Sequence, residues 1–194
     1  MEDIRTFDSV ATAAAFPLGG VGTGNVSIGA RGELRDWEIF NQPGKGESLP
    51  CTFFAIRAAS AGQPPITRVL EGPLQPPHAL SHGSHPATAA GLPRMARSTL
   101  RGTYPIATLA FEDPRLPVRV ELEAFTPLVP LDPADSGIPC AIAGLGKLDA
   151  AAAAAPAVAT AAPLMNLRRS DMLVPPGGKL LLPSIVRSAR TLET

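Results

Sequence analysis

The sequence predicts a mainly β protein: an incomplete antiparallel β-sandwich followed by an irregular C-terminal tail rich in alanine and proline. The first observation is the density of chain-breaking residues, because 22 prolines and 18 glycines among 194 residues disfavour long helices and favour turns. The second is a series of short apolar or alternating runs between those turns, which is typical of sandwich strands. The third is that no aromatic residue follows Phe125, so the tail lacks the aromatic side chains that favour strands.

Six segments carry the strand pattern after a short lead-in over residues 1–15. They are Asn25–Ile28, Glu33–Phe40, Cys51–Ala58, Ile66–Leu70, Thr103–Phe111 and Val118–Phe125. The last of these alternates most clearly, with small or branched apolar residues on one face and charged residues on the other. Residues 29–32 have the length and glycine content of a hairpin turn, and residues 112–115 carry a second turn signal.

A glycine-rich stretch over residues 16–50 organises the first half of the chain. Its glycines give a G-x-G-x-G spacing, but Asn25 stands where a dinucleotide-binding fingerprint has its third glycine, and no helix-forming stretch follows. Around Lys45 the sequence lacks both the earlier glycine and the following Ser or Thr of a P-loop. These spacings argue against a phosphate-binding site.

Composition excludes several other classes of function. The formal net charge is zero, so no electrostatic field favours nucleic acid or acidic lipid. Two cysteines are too few for a disulfide framework. The first residues are acidic and lack the apolar core of a secretory signal, and no segment is apolar enough to span a bilayer. We therefore expect a cytoplasmic protein whose association with membranes is at most peripheral.

All three histidines lie in a loop between residues 72 and 93. His78, His82 and His85 suggest a metal site, since an H-x3-H spacing places two imidazoles on one helix face. The surrounding prolines and glycines argue against a helix there, and a fourth ligand is not evident. A solvated loop without a metal is the prediction.

Several short segments, in one order along the chain, carry a resemblance to a known family. They are FPLGGVGTGNVSIGARGELRDWEIFNQPGKGESLP at 16–50, TFFAIR at 52–57, RVLEG at 68–72, GLPR at 91–94, YPIAT at 104–108, LEAFTP at 122–127 and DSGIP at 135–139. Together they resemble the start of glycoside hydrolase family 116, the family of non-lysosomal glucosylceramidases, also called bile acid β-glucosidases.

The resemblance implies a fold, a reaction and a partner. Family members begin with a β-sandwich, which agrees with the strand pattern. They are retaining β-glucosidases that act on β-glucosides such as glucosylceramide without a metal cofactor, using two carboxyl groups. The family carries those groups on a C-terminal (α/α)6 domain that has no counterpart here. The resemblance therefore implies no catalytic residue and no cofactor in this chain, an (α/α)6 catalytic domain as its partner, and no activity of the chain alone.

Five residues form the candidate site, namely Glu33, Arg35, Asp36, Trp37 and Glu38. On a regular strand Asp36 and Glu38 point to the same side, about 7 Å apart between Cβ atoms. Trp37 could stack on a sugar or face another domain. A structural alternative is an ion pair between Glu33 and Arg35 with the indole in the core, where large aromatic side chains usually lie.

The composition changes abruptly near residue 142. The predicted division is a lead-in over 1–15, a partial family 116 sandwich over 16–142, and an aberrant or low-complexity tail over 143–194. The first functional hypothesis is a truncated, non-catalytic N-terminal domain of a β-glucosidase. The alternatives are a stand-alone module that binds carbohydrate or glycolipid through Trp37, and a gene-model fragment without function.

Overall fold

The computed structural model describes residues 5–60, 62–76, 89–150 and 157–165. These residues form eleven strands and one helical turn: β1 (Arg5–Asp8), β2 (Ala15–Leu18), β3 (Asn25–Gly29), β4 (Leu34–Glu38), β5 (Thr52–Ser60), β6 (Ile66–Val69), β7 (Arg97–Thr103), β8 (Ile106–Glu112), β9 (Val118–Phe125), α1 (Pro133–Ser136), β10 (Ile142–Ala150) and β11 (Ala157–Met165). The predicted class, mainly β with antiparallel pairing, is confirmed.

The strands form three sheets. The largest has the order β1-β7-β8-β9-β10, and two three-stranded sheets have the orders β11-β5-β6 and β2-β3-β4. All pairings between these strands are antiparallel. The lead-in is therefore part of the fold, because β1 pairs with β7 along the edge of the five-stranded sheet.

The hydrophobic core lies against one face of the five-stranded sheet. In β9 every second residue is buried from Val118 to Ala124, which confirms the predicted alternation. In β8 the buried residues are Ala107, Leu109 and Phe111. Residues from β2, β3 and β5 complete the same cluster, so the core joins all three sheets. Burying one large apolar side chain contributes about 1.5–3 kcal/mol, so this cluster is a main source of stability.

Both predicted turns are present, and each has a local cause. In the β3–β4 hairpin the N–H of Gly32 donates to the carbonyl of Gly29, and Gly32 has a φ of +94°. A Cβ at Gly32 would lie 2.5 Å from the carbonyl oxygen of Leu70 and 2.8 Å from the ring of Phe111, so only glycine fits there. Between β8 and β9, an Asp113 carboxylate oxygen accepts the N–H of Arg115, an Asx-type turn.

The strand predicted from Thr103 to Phe111 is wrong at its start. A two-residue turn at Tyr104 and Pro105 separates β7 from β8, and Thr103 pairs with Ile106 across it. Strand β7 itself was not predicted, because its sequence RSTLRGT is polar except for one leucine. It forms because β1 and β8 pair with it on both sides, which sequence periodicity does not report.

Two strands occupy the chain from Ile142 onward, where the sequence shows no strand period. Strand β10 pairs with β9 across the predicted boundary, and β11 pairs with β5. Pairing with an available strand edge requires only backbone N–H and C=O groups. Such a strand can therefore form without an alternating pattern of apolar residues in its sequence. The division into domains at residues 15 and 142 stays a prediction. The three histidines, and the chain after Met165, lie outside the described residues.

Candidate functional site

A β-bulge sets the geometry of the candidate site. In the β3–β4 pair Asn25 lies opposite Glu38 and Ser27 lies opposite Arg35, so two residues of β4 face one residue of β3. Asp36 takes the extra position with a φ of +53°. The bulge turns both Asp36 and Trp37 inward, where they are 4% and 9% exposed. The alternation expected for a regular strand therefore does not apply to these two residues.

The Asp36 carboxylate is held by several donors. Its Oδ1 accepts the N–H of Gly46 at 2.7 Å and lies 3.5 Å from Nε of Arg35, and its Oδ2 lies 3.8 Å from Nζ of Lys45. Burial raises the pKa of Asp36, but the hydrogen bonds from Gly46 and Ser27 and the two cationic neighbours outweigh it, so the pKa stands below its ordinary value. Asp36 is thus ionised at neutral pH.

Asp36 belongs to an extended set of ion pairs, which we call the ion-pair network. Positive and negative side chains alternate along it, and successive nitrogen and oxygen atoms lie 3.0–3.9 Å apart. All members except Lys45 are mostly buried, so the pairs are not simple surface salt bridges. In order of contact the members are Arg94, Glu71, Arg31, Glu33, Arg35, Asp36, Lys45 and Glu38.

Glu33 lies in the middle of this network. Its carboxylate folds back over Gly29, where a Cβ would lie 2.5 Å from the carboxylate oxygens. One oxygen accepts the N–H of Arg31 at 3.1 Å, and the other lies 3.9 Å from Nη1 of Arg35. Burial raises the pKa of Glu33 and outweighs the lowering effect of Arg31 and Arg35. Glu33 therefore binds a proton more readily in the folded state than an ordinary glutamate does.

The loop after β4 closes over the bulge. The N–H of Asp36 donates to the carbonyl of Glu47, and a Cβ at Gly44 would lie 2.4 Å from the carbonyl oxygen of Trp37. Gly44 thus serves close backbone approach, whereas Gly46 supplies a backbone φ of +81° in an open position. The indole Nε1 of Trp37 is buried and has no hydrogen-bond partner within the described residues. A buried, unpartnered N–H costs stability, which an acceptor from another molecule or domain would recover.

The structure brings the five predicted residues together and adds partners that sequence reasoning missed. A single ammonium, that of Lys45, lies within 4 Å of both Asp36 and Glu38. The spacing of Arg31, Glu33 and Arg35 at every second position was a signal for part of the network. Glu71 and Arg94 come from other segments, and no local pattern in the sequence connects them to this hairpin.

This arrangement of ion pairs differs from the carboxyl pair of a glycosidase. A retaining glycosidase needs one carboxylate as nucleophile and a second carboxyl group as acid, about 5 Å apart and open to a sugar. Here the carboxylates of Glu33, Asp36 and Glu38 each have a cation within 4 Å. A nearby cleft of about 540 Å³ lies beside the β8–β9 turn, lined by Arg97, Glu112 and Asp113 among others, and includes none of the five predicted residues.

Two further searches of the described residues bear on ligands and membranes. Within them, no group of three or more His, Cys, Asp or Glu side chains is arranged to hold a metal ion. No helix among the described residues has the length and apolar character to cross a membrane.

Comparison with known proteins supplies the identity of the fold. No curated protein matched this sequence. A family model described as beta-glucosidase 2, glycosyl-hydrolase family 116 N-term, matches residues 15–144. That range begins with β2, contains the bulge and the whole Glu33–Glu38 segment, and ends inside β10. The chain therefore belongs to glycosyl-hydrolase family 116, through the N-terminal domain of that family.

Proposed function

We propose that this domain is the non-catalytic N-terminal part of a β-glucosidase that resembles the non-lysosomal glucosylceramidase. The complete enzyme hydrolyses β-glucosides such as glucosylceramide, and the (α/α)6 catalytic domain supplies both catalytic carboxyl groups. The contribution of this domain is to pack against the catalytic domain. The family membership supports this proposal, because the matching description is that of an N-terminal domain.

The observation that carries the non-catalytic role is the pairing of the candidate carboxylates. The network of ion pairs and the hydrogen bond from Gly46 hold Asp36 in a fixed place and in its charged form. A carboxylate in this state is a poor general acid, because the lowered pKa leaves it no proton to donate near neutral pH. Trp37, at 9% exposed, presents no open platform on which a sugar ring could stack.

Turnover of a chromogenic β-glucoside by the purified chain tests the non-catalytic role. We expect no hydrolysis above the rate in buffer. Hydrolysis that is lost in Asp36→Asn or Glu38→Gln, while the variants stay folded, would refute the proposal. A glucoside titration followed by Trp37 fluorescence tests the carbohydrate-binding alternative, for which we expect no saturable signal.

Association with the catalytic domain tests the positive half of the proposal. The 194-residue chain and a separately expressed (α/α)6 domain of a family 116 β-glucosidase should form a complex by isothermal titration calorimetry. After heating, the complex should retain more activity on glucosylceramide in detergent micelles than the catalytic domain alone, because binding to the native state raises the unfolding temperature. Failure to associate would contradict the proposed function.

A further inference from the structure

Two tight turns carry bulky apolar residues where turn geometry favours glycine or asparagine. In the turn from Ile39 to Gln42 the N–H of Gln42 donates to the carbonyl of Ile39, and Phe40 and Asn41 have φ values of +55° and +56°. Positive φ at both central positions is the geometry of a type I′ turn, in which Gly, Asn and Asp dominate. Phe40 occupies the first of these positions and is 78% exposed.

The second turn runs from Val129 to Asp132. The N–H of Asp132 donates to the carbonyl of Val129, Pro130 precedes Leu131, and Leu131 has a φ of +67°. This is the pattern of a type II turn, whose third residue is usually glycine or asparagine. The side chain of Leu131 is fully exposed. A bulky residue at positive φ is strained, and neither Phe40 nor Leu131 repays that strain by burial within this domain.

The glycine-rich loop 19–24 connects these two turns. A Cβ at Gly24 would lie 3.4 Å from Cα of Ile39, and a Cβ at Gly20 would lie 2.3 Å from the carbonyl oxygen of Ile138. The N–H of Val21 donates to the carbonyl of Ser136, whose hydroxyl in turn bonds both backbone groups of Val129. Three loops therefore meet through close backbone contacts.

Exposed apolar side chains from these three loops form a patch that we call the loop face. Its members are Val21, Ile39, Phe40, Val129, Leu131 and Ile138, and each of them is at least 36% exposed. Such a cluster of exposed apolar residues is typical of an interaction surface. All six residues fall within the range that matches the family, so the loop face belongs to the N-terminal domain itself.

Charge around the loop face indicates what covers it. The neighbouring charged residues on the same loops are Glu38, Lys45, Glu47, Asp132 and Asp135, an excess of acidic groups. Lys45 is already paired with Glu38 and Asp36. A complementary partner has an apolar centre surrounded by an excess of Lys and Arg, and a second copy of this acidic surface is disfavoured.

We propose that the loop face is the surface by which this domain docks on the catalytic domain of its enzyme, with Phe40 and Leu131 as the apolar anchors. This inference rests on the proposed function. The strain at the two turns is the cost of presenting each anchor in a fixed, preorganised position, which lowers the entropy lost on docking. The surface is distinct from Trp37, which lies buried beneath the adjacent loop.

Paired asparagine variants test the docking surface. Asn tolerates positive φ, so Phe40→Asn and Leu131→Asn should leave the melting temperature of the chain unchanged or raised. Each should weaken binding to the separately expressed (α/α)6 domain by at least about tenfold, as expected for a hot-spot residue. Val10→Asn is the matched control, since Val10 is 64% exposed and lies outside the three loops, and it should bind like the wild type.

The outcomes separate the docking surface from the proposed function. Binding by the wild type that both Asn variants retain would overturn the loop face while leaving the proposed function intact. A complete absence of binding by the wild type would overturn both. Concentration-dependent dimers of the chain alone, lost in Phe40→Asn, would assign the loop face to self-association and refute the inference.

Discussion

Replacement of Asp36 by alanine gives the sharpest test of how the candidate site is built. The carboxylate accepts the N–H of Gly46 at 2.7 Å, and alanine removes this charge-assisted hydrogen bond. A hydrogen bond to a charged group contributes about 1.5–3 kcal/mol. Alanine at a φ of +53° adds about 1 kcal/mol of backbone strain. We therefore expect Asp36→Ala to lower the free energy of unfolding by about 3 kcal/mol.

Two comparison variants isolate the causes of that loss. Asp36→Asn keeps an acceptor for Gly46 and tolerates positive φ, so it should cost only about 1 kcal/mol, the part due to charge. Asp8→Ala is the matched control, because Asp8 also accepts a backbone N–H, that of Val10, but is exposed. Urea unfolding at pH 7 measures all three, with the slope m expected to stay constant.

The same measurement at low pH checks the sign of the electrostatic contribution. The pKa of Asp36 is lower in the folded state than its ordinary value of 3.8, so its stabilising effect is complete above that value. As pH falls below 3.8 and through the folded pKa, the effect is lost. The stability difference between wild type and Asp36→Ala should therefore shrink at acid pH. A difference below about 0.5 kcal/mol at pH 7, or one that grows on acidification, would refute the reasoning.

Three further predictions concern other parts of the fold. Arg68→Met should cost about 3 kcal/mol at pH 7 by urea unfolding, because it leaves the buried Asp113 carboxylate without the Arg68 guanidinium. The pKa of Asp113 is lowered below 3.8 in the folded wild type, so the cost should shrink as pH falls through that pKa, and a cost that stays equal on acidification would contradict this. Glu33→Gln should lower the free energy of unfolding less than Asp36→Asn does, since the pKa of Glu33 is raised and its ionisation, as pH rises above 4.5, destabilises the folded protein. A loss of stability in Glu33→Gln that is larger at pH 8 than at pH 5 would refute this prediction. Gly32→Ala should lower stability by about 2–4 kcal/mol in thermal melts, with Gly46→Ala, whose Cβ would meet nothing within 4 Å, as the control that shows the cost of positive φ alone.

Strand alternation was the part of the fold that sequence reported well. Val118–Phe125 was predicted with its bounds, because one face packs on the core and the other faces solvent. The polar strand β7 gave no such signal, since its place is set by neighbours on both sides. Strands β10 and β11 in the tail were not predicted either, because an alanine-rich sequence does not distinguish a buried face from an exposed one.

The candidate site stays a prediction, and the sequence did not predict its geometry. The rule that every second residue of a strand lies on the same face fails at a bulge. The bulge at Asp36 depends on a positive φ, which the sequence did not predict. The turn residues Phe40 and Leu131 also depart from turn preferences, because each has a positive φ where glycine or asparagine is usual. Preferences of single residues fail to predict the conformation where tertiary contacts or function determine it.

The alternating order of the ion-pair network has a consequence for how this domain can diverge. Four cations and four anions balance one another in it, so any single charge-removing substitution leaves one unit of uncompensated charge in a mostly buried place. Removing two adjacent members, such as Glu71 with Arg94, restores neutrality. Accepted changes along Arg31, Glu33, Arg35 and their partners should thus occur as couples, and relatives should differ by whole ion pairs rather than by single charges. Aligned relatives would show this as covariation between positions distant in sequence, tracing the network without any structure.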